Sequence, residues 1–86
     1  MSDDQLDAGN HAALVDLFVE MFECAAGDLQ PSSTLSEDLG IDSLDAADLR
    51  AELQYRFDVR ITDQRFLSVR TFGDVVDVLT EIKSAP

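Results

Sequence analysis

The sequence predicts an all-α protein, a small four-helix bundle with three main helices and one short third helix. Three observations carry this. Apolar residues recur at spacings of three, four and seven in three separate stretches of the 86 residues. Cap-type residues stand immediately before those stretches (Asn10, Asp42 and Thr71). With no Trp, one Tyr and five Phe, the core must be mainly aliphatic.

Taken in order, residues 1–9 are polar and read as a loose terminus. Asn10 is the expected cap of a first helix whose inward face reads Leu14, Val15, Phe18, Met21, Phe22 and Ala25. Gly27 is expected to close that helix in the left-handed conformation. A long loop follows from about Asp28 to Ile41, punctuated by Pro31, Ser32, Ser33 and Thr34. Leu29, Leu35 and Leu39 are expected to plug it into the core, and Ser36 to cap one short turn over Glu37 and Asp38. A loop of this length inside so short a chain is expected to carry function.

The second helix is predicted from Ser43 to about Phe57, with Leu49, Leu53 and Phe57 inward. Asp42 is its N-cap, and its carboxylate should accept from the backbone N–H of Asp45. Gly40 permits a sharp entry, and Ile41 stands where it can staple onto Ala46. Ala46, Ala47 and Ala51 either leave space near Ser43 or are simply good helix formers. Asp58 to Ile61 reads as a connection, and Thr62 caps a short third helix from about Asp63 to Leu67, with Phe66 and Val69 closing the core. Thr71 and Asp74 form a capping box for a last helix whose inward face is Phe72, Val75, Val76, Leu79 and Ile82. Residues 84–86 are expected to fray.

Composition narrows the function. A chain of this length is one domain, 1–86, that buries only about 60% of its unfolded surface. The formal charge of −12 is lopsided: residues 1–49 hold twelve acidic residues and no Lys or Arg, whereas residues 50–86 hold six of each sign. Phosphate neutralisation needs clustered cations, so nucleic acid is not an expected partner. A basic protein surface is, unless the acidity serves solubility alone. No apolar run is long enough to cross a bilayer, and the acidic start Met1-Ser2-Asp3-Asp4 lacks the features of a signal peptide, so the expected location is cytoplasmic. Cys24 is the only cysteine and reads as a small core hydrophobe; His11 reads as a solvated surface residue.

Catalytic and metal patterns fail one by one. His11 is the only possible triad base, and Gly40-Ile41-Asp42-Ser43-Leu44 is not the Gly-x-Ser-x-Gly of a hydrolase elbow. Counted as a calcium loop from Asp38, the glycine position holds Ser43 and the glutamate position Leu49. There is no Gly-rich phosphate loop. No catalytic or metal-binding residue is therefore expected. What remains is a serine on the first residue of a helix, where unpaired N–H groups and the positive dipole end accommodate a phosphate.

Glu37-Asp38-Leu39-Gly40-Ile41-Asp42-Ser43-Leu44-Asp45, followed by Asp48-Leu49, Leu53, Phe57-Asp58 and Ile61, resembles the acyl carrier protein family over about Leu14 to Ile82. The resemblance implies a carrier without catalytic activity. Ser43 would bear 4'-phosphopantetheine, covalently attached from coenzyme A by a phosphopantetheinyl transferase, with Asp42 and Leu44 flanking the attachment site. Asp42 and Asp45 would also present carboxylates to that enzyme's metal or basic residues. Asp45, Asp48 and Glu52 make an acidic stripe that, in the family, docks on basic patches of acyltransferases or ligases, ketosynthases and other biosynthetic enzymes. The family's acidic run is interrupted here by Arg50 and by Gln54, Tyr55 and Arg56, which points to dedicated partners and to polyketide or other secondary-metabolite biosynthesis ahead of fatty-acid synthesis. Peptidyl and aminoacyl carriers usually show Gly-Gly before His or Asp and the serine, and Ile41 takes the second glycine position here. The two rivals are such a peptidyl carrier and, in another class, an unmodified acidic helical adaptor. Met1 and the short tails give the expectation of a freestanding carrier, which is also expected to be a monomer.

The charge asymmetry generates a test. Self-repulsion loosens the fold at low ionic strength, so the melting temperature is expected to rise as NaCl increases from about 10 to about 150 mM, where the Debye length falls from about 30 to about 8 Å. A melting curve indifferent to salt would contradict this.

Overall fold

The computed structural model describes residues 8–84. Four α-helices follow one another: α1 (Ala8–Phe22), α2 (Ser43–Phe57), α3 (Asp63–Leu67) and α4 (Phe72–Ser84), with a single 3-10 turn at Ala26–Asp28 after α1. The described residues contain no strand, only an isolated bridge between Thr34 and Thr71. The all-α, four-helix expectation holds, including the short third element.

The core is aliphatic with a small aromatic centre. Leu14, Leu17 and Phe18 of α1 meet Leu49, Leu53 and Phe57 of α2 and Phe72, Val75, Val78 and Leu79 of α4. Phe18 lies edge-on to Phe72 at 5.1 Å and to Phe22 at 5.6 Å, the geometry that the ring quadrupoles favour. α3 buries no residue completely and leans on the core through Phe66.

Two inward faces are rotated from the sequence reading. α1 buries Leu17, which the reading omitted, while Val15, Met21 and Phe22 are only partly buried and Ala25 is exposed beyond the helix end. α4 buries Val78 and leaves Val76 and Ile82 partly covered. In both, the wall follows i, i+3, i+4, and which of two adjacent apolar residues joins it depends on where the neighbouring helix lies.

The ends of α1 also differ. The helix begins at Ala8, ahead of the expected Asn10 cap, so residues 8 and 9 are helical; residues 1–7, the rest of the expected loose terminus, lie outside the described residues. It stops at Phe22, and Glu23, not Gly27, takes the left-handed conformation with φ 55°. Gly27 sits inside the 3-10 turn. At the other terminus Ser84 closes α4, while residues 85 and 86 lie outside the described residues.

Cys24 is half-buried, and its thiol points to the Phe18 carbonyl at 3.7 Å. Burial pushes that thiol above its usual range, consistent with a packing residue and not a reactive one. His11 is exposed and lies edge-on to Phe72 with ring centroids 6.0 Å apart.

The long loop is fastened to the start of α4. Leu29, Leu35 and Ile41 are buried, and Leu39 is half-buried against the core. Leu35 N–H donates to the Arg70 carbonyl (2.9 Å), Phe72 N–H to Ser33 (2.9 Å) and Gly73 N–H to Pro31 (3.0 Å). Two of the N–H groups that every helix start leaves unpaired thus find partners in the loop. The buried Ser33 hydroxyl donates to the Asp28 carbonyl at 2.7 Å and accepts from Gln30 N–H at 3.0 Å. The short turn over residues 35–38 is capped by Thr34 and not Ser36: Asp38 N–H donates to Thr34 Oγ1 (3.0 Å), and Thr34 N–H to Asp38 Oδ2 (2.8 Å).

The caps of the later helices follow the sequence reading. Thr62 Oγ1 accepts from Arg65 N–H at 3.1 Å, and Thr71 Oγ1 accepts from Asp74 N–H at 3.1 Å. Asp74 returns the contact by accepting from Arg70 N–H (2.9 Å) and Thr71 N–H (3.1 Å).

Two outcomes follow from this fastening. A Cβ at Gly73 would lie 2.7 Å from the Pro31 carbonyl oxygen. Forced shifts of that kind cost about 1–3 kcal/mol, against about 1 kcal/mol that alanine gains in helix propensity. Gly73→Ala is therefore expected to lower the urea midpoint, with a net loss of about 1 kcal/mol. The second outcome concerns acid. The N–H groups of Arg70 and Thr71 hold the Asp74 carboxyl below its usual range, so the folded chain binds fewer protons than the unfolded one. The resulting stability is complete above about pH 4 and is lost as pH falls through the folded-state value. Asp74→Ala should destabilise by about 1 kcal/mol at neutral pH, and urea curves should show that gap closing in stronger acid.

Candidate functional site

The site is assembled where the fastened loop turns into α2. Gly40 has φ 69°, a left-handed value that costs glycine little. Ile41 N–H then donates to the Leu35 carbonyl at 2.8 Å and the Ile41 side chain is buried, so the chain is anchored one residue before the helix cap. Asp42 is extended and its Oδ1 accepts from Asp45 N–H at 2.8 Å. Asp42 N–H faces Asp45 Oδ2 at 3.5 Å, closing a reciprocal capping box. Ala46 N–H takes the Asp42 carbonyl at 2.8 Å as the first helical bond.

Ser43 is consequently the first residue of α2 and is exposed, as is Leu44 with 78% of its surface in solvent. No hydrogen bond among the described residues engages the Ser43 hydroxyl. An open groove of about 790 Å³ adjoins it. α2 contributes Ser43, Ala46, Ala47 and Arg50 to this groove, α3 contributes Phe66 and Leu67, and the loop contributes Leu35 and Ile41. Ala46 and Ala47 therefore do leave space beside the serine, whereas Ala51 does not border the groove.

The three stripe carboxylates occupy different environments. Asp45 is half-buried and engaged in the capping box. Glu52 receives Arg56 Nε at 3.1 Å, and the same guanidinium reaches Glu20 of α1 at 3.0 Å. Those two carboxylates raise the Arg56 pKa further, and the Arg56 charge offsets that of Glu52 at the C-terminal end of the stripe. Asp48 alone of the three is exposed and makes no ion pair among the described residues.

Arg50 is the functional candidate that sequence reasoning placed wrongly. It does not interrupt the outward stripe but turns toward α3, where its Nε donates to the Ile61 carbonyl at 2.7 Å and its Nη1 pairs with Asp63 at 2.8 Å. Its seven-residue offset from Ser43, two turns on the same face, was the available signal. Gln54 completes the arrangement by accepting from Ile61 N–H at 2.8 Å, so side chains of α2 hold both backbone groups of Ile61 in the α2–α3 connection.

An exposed, uncommitted hydroxyl at a helix entrance, with unpaired N–H groups and an open groove beside it, suits a phosphodiester-linked arm. A small helical bundle built around such a residue defines the class of covalent carrier domains. A family model described as "phosphopantetheine attachment site" matches residues 12–79. The acyl carrier protein of Syntrophus aciditrophicus is 35% identical over 66 residues, covering 77% of this chain and 82% of that protein. Acyl carrier protein 2 of Ralstonia nicotianae is 38% identical over 80% of this chain and 85% of its own length. The acyl carrier protein of Syntrophobacter fumaroxidans is 33% identical over 91% and 96%. The chain belongs to the phosphopantetheine-bearing acyl carrier protein family. Its cofactor is covalent 4'-phosphopantetheine, and like its family it carries acyl groups and has no catalytic activity of its own. Its partners in general terms are a phosphopantetheinyl transferase and biosynthetic enzymes. Among the described residues no helix is long and apolar enough to cross a membrane, and no group of three His, Cys, Asp or Glu is placed to hold a metal ion.

Proposed function

We propose that Ser43 is the attachment residue and that the protein delivers acyl intermediates to the enzymes of polyketide or related secondary-metabolite biosynthesis, with fatty-acid synthesis as the second pathway. The observation that carries the first part is the exposed Ser43 hydroxyl on the first residue of α2, beside a groove large enough to receive an arm. A serine hydroxyl is a weak nucleophile, and no histidine lies near it in sequence, so activation must come from the transferase. In the transfer, Ser43 Oγ attacks the pantetheine-bearing phosphorus of coenzyme A, the phosphoanhydride bond breaks, and adenosine bisphosphate leaves. The serine proton passes to the transferase's base. When bound, the arm's thiol holds an acyl group as a thioester, which keeps its carbonyl electrophilic.

The chain's own residues supply address and position. Asp42 locks the start of α2 and, with Leu44, frames the attachment point. Asp45, Asp48 and Glu52 form the docking stripe for a basic enzyme surface, with Asp48 the most available of them. Arg56 neutralises the far end of that stripe, and Tyr55, 84% exposed, stands beside it. A fatty-acid enzyme that reads a continuous acidic helix meets a different surface here, which favours a dedicated set of acyltransferase or ligase and ketosynthase partners. The protein acts as a cytoplasmic monomer, one domain spanning 1–86.

Incubation with coenzyme A and a broad-specificity phosphopantetheinyl transferase is expected to add the mass of one phosphopantetheine to the intact wild-type protein. Ser43→Ala should gain nothing while keeping its helical circular dichroism. A Ser43→Ala protein that gains the same mass as wild type would overturn Ser43 as the attachment residue.

A further inference from the structure

Ser43, Ala46, Ala47 and Arg50 share one face of α2, and all four border the groove. The tether point is at one end, two small residues leave the space, and a guanidinium stands two turns away, about 10.5 Å along the axis. On the far wall α3 contributes the apolar Phe66 and Leu67, with Asp63 at the start of that helix.

The guanidinium is held in place. Nε is committed to the Ile61 carbonyl at 2.7 Å and Nη1 to Asp63 at 2.8 Å, and only 30% of the side chain is exposed. No described residue accepts from Nη2. Asp63 is 86% exposed, so solvent screens its hold on the cation. Glu37 and Asp42 also border the groove, Asp42 being committed to the helix cap. Arg70, the other cation on the lining, is near Asp74.

We propose that Arg50 makes this groove a reading site for acyl chains that carry an oxygen acceptor beyond the thioester, such as a keto, hydroxyl or carboxyl group. This rests on Ser43 bearing the arm. An acceptor oxygen reaching the groove replaces the water that Nη2 would otherwise hold, and it gains a charge-assisted bond from a donor already oriented. A purely alkyl chain reaching the same place strips that water and offers nothing in return. The groove therefore favours oxygenated over saturated cargo of equal length. On the attachment face of α2 the preference originates in Arg50, because Ala46 and Ala47 cannot distinguish the two by hydrogen bonding; Thr34, Ser36 and Arg70 of the lining lie outside α2.

The test loads the apo protein through the transferase with pantetheine alone, butyryl, acetoacetyl or malonyl groups from the matching coenzyme A thioesters, with intact mass verifying each product. The readouts are the ¹⁵N–¹H resonance of Arg50 Nε, the amide resonances of Ala46 and Ala47, and the melting temperature. Acetoacetyl and malonyl forms are expected to shift the Arg50 resonance and to melt a few degrees above the butyryl form. Arg50→Lys keeps the positive charge but removes the forked donor, and should erase that difference while still accepting every load. Because Arg50 also anchors Ile61, the wild-type spectra decide the matter if this variant folds poorly. Equal spectra for acetoacetyl and butyryl forms would overturn the proposal. So would an Arg50 shift already complete with pantetheine alone, since the arm's amides would then be the ligand. Failure of every load to attach would instead refute Ser43 as the attachment residue.

Discussion

The attachment of the long loop to the first turn of α4 is the constraint on which the remaining geometry rests. Leu29, Leu35 and Ile41 are driven out of water into the core, and that burial brings the loop backbone against residues 70–73. There, carbonyls of Pro31 and Ser33 meet helix N–H groups that would otherwise need solvent or a side-chain cap. Apolar burial and polar satisfaction therefore favour the same placement. Since Ile41 is one of the buried plugs, the core fixes where the start of α2 lies in the molecule, while the local Asp42 cap fixes which residue begins it.

From that anchor the site follows in a few residues. A buried Ile41, a capping Asp42 and an exposed Ser43 occur in immediate succession, and each has a separate physical role: hold, start and present. Presentation depends on Ser43 staying uncommitted, because Asp42 already supplies the side-chain oxygen that the helix start requires. In the proposed role of Ser43, its oxygen must be offered and not used by the fold. Dividing the capping and presenting roles between neighbours accomplishes that.

The two faces of α2 meet different surroundings. Ser43, Ala46, Ala47 and Arg50 look along the groove toward α3, while Asp48 and Tyr55 remain in solvent. α3 is the thinnest wall of the molecule. It has five residues, none completely buried, and is held by Arg50 and Gln54 of α2 at its entry and by the ion pair between Arg65 and Glu81. An element with so little apolar burial belongs to the low-stability end of the fold.

Much of the molecule is legible in one dimension, and the reason is locality. Caps at Asp42, Thr62 and Thr71, the bounds of α2 and α3, and the exposure of a serine on a first helical turn depend on residues within four positions of one another. The cofactor class follows from the same short stretch. What the chain order alone left open depends on distant partners. Leu17 and Val78 join the core because of where neighbouring helices pack, Glu23 rather than Gly27 becomes left-handed because α1 ends earlier than its glycine, and Arg50 leaves the acidic stripe because the Ile61 carbonyl and Asp63 accept it across the α2–α3 connection. By itself the sequence determined the helices and the residue they present; only tertiary packing decided which side chains share the groove, because that requires segments far apart in the chain to meet.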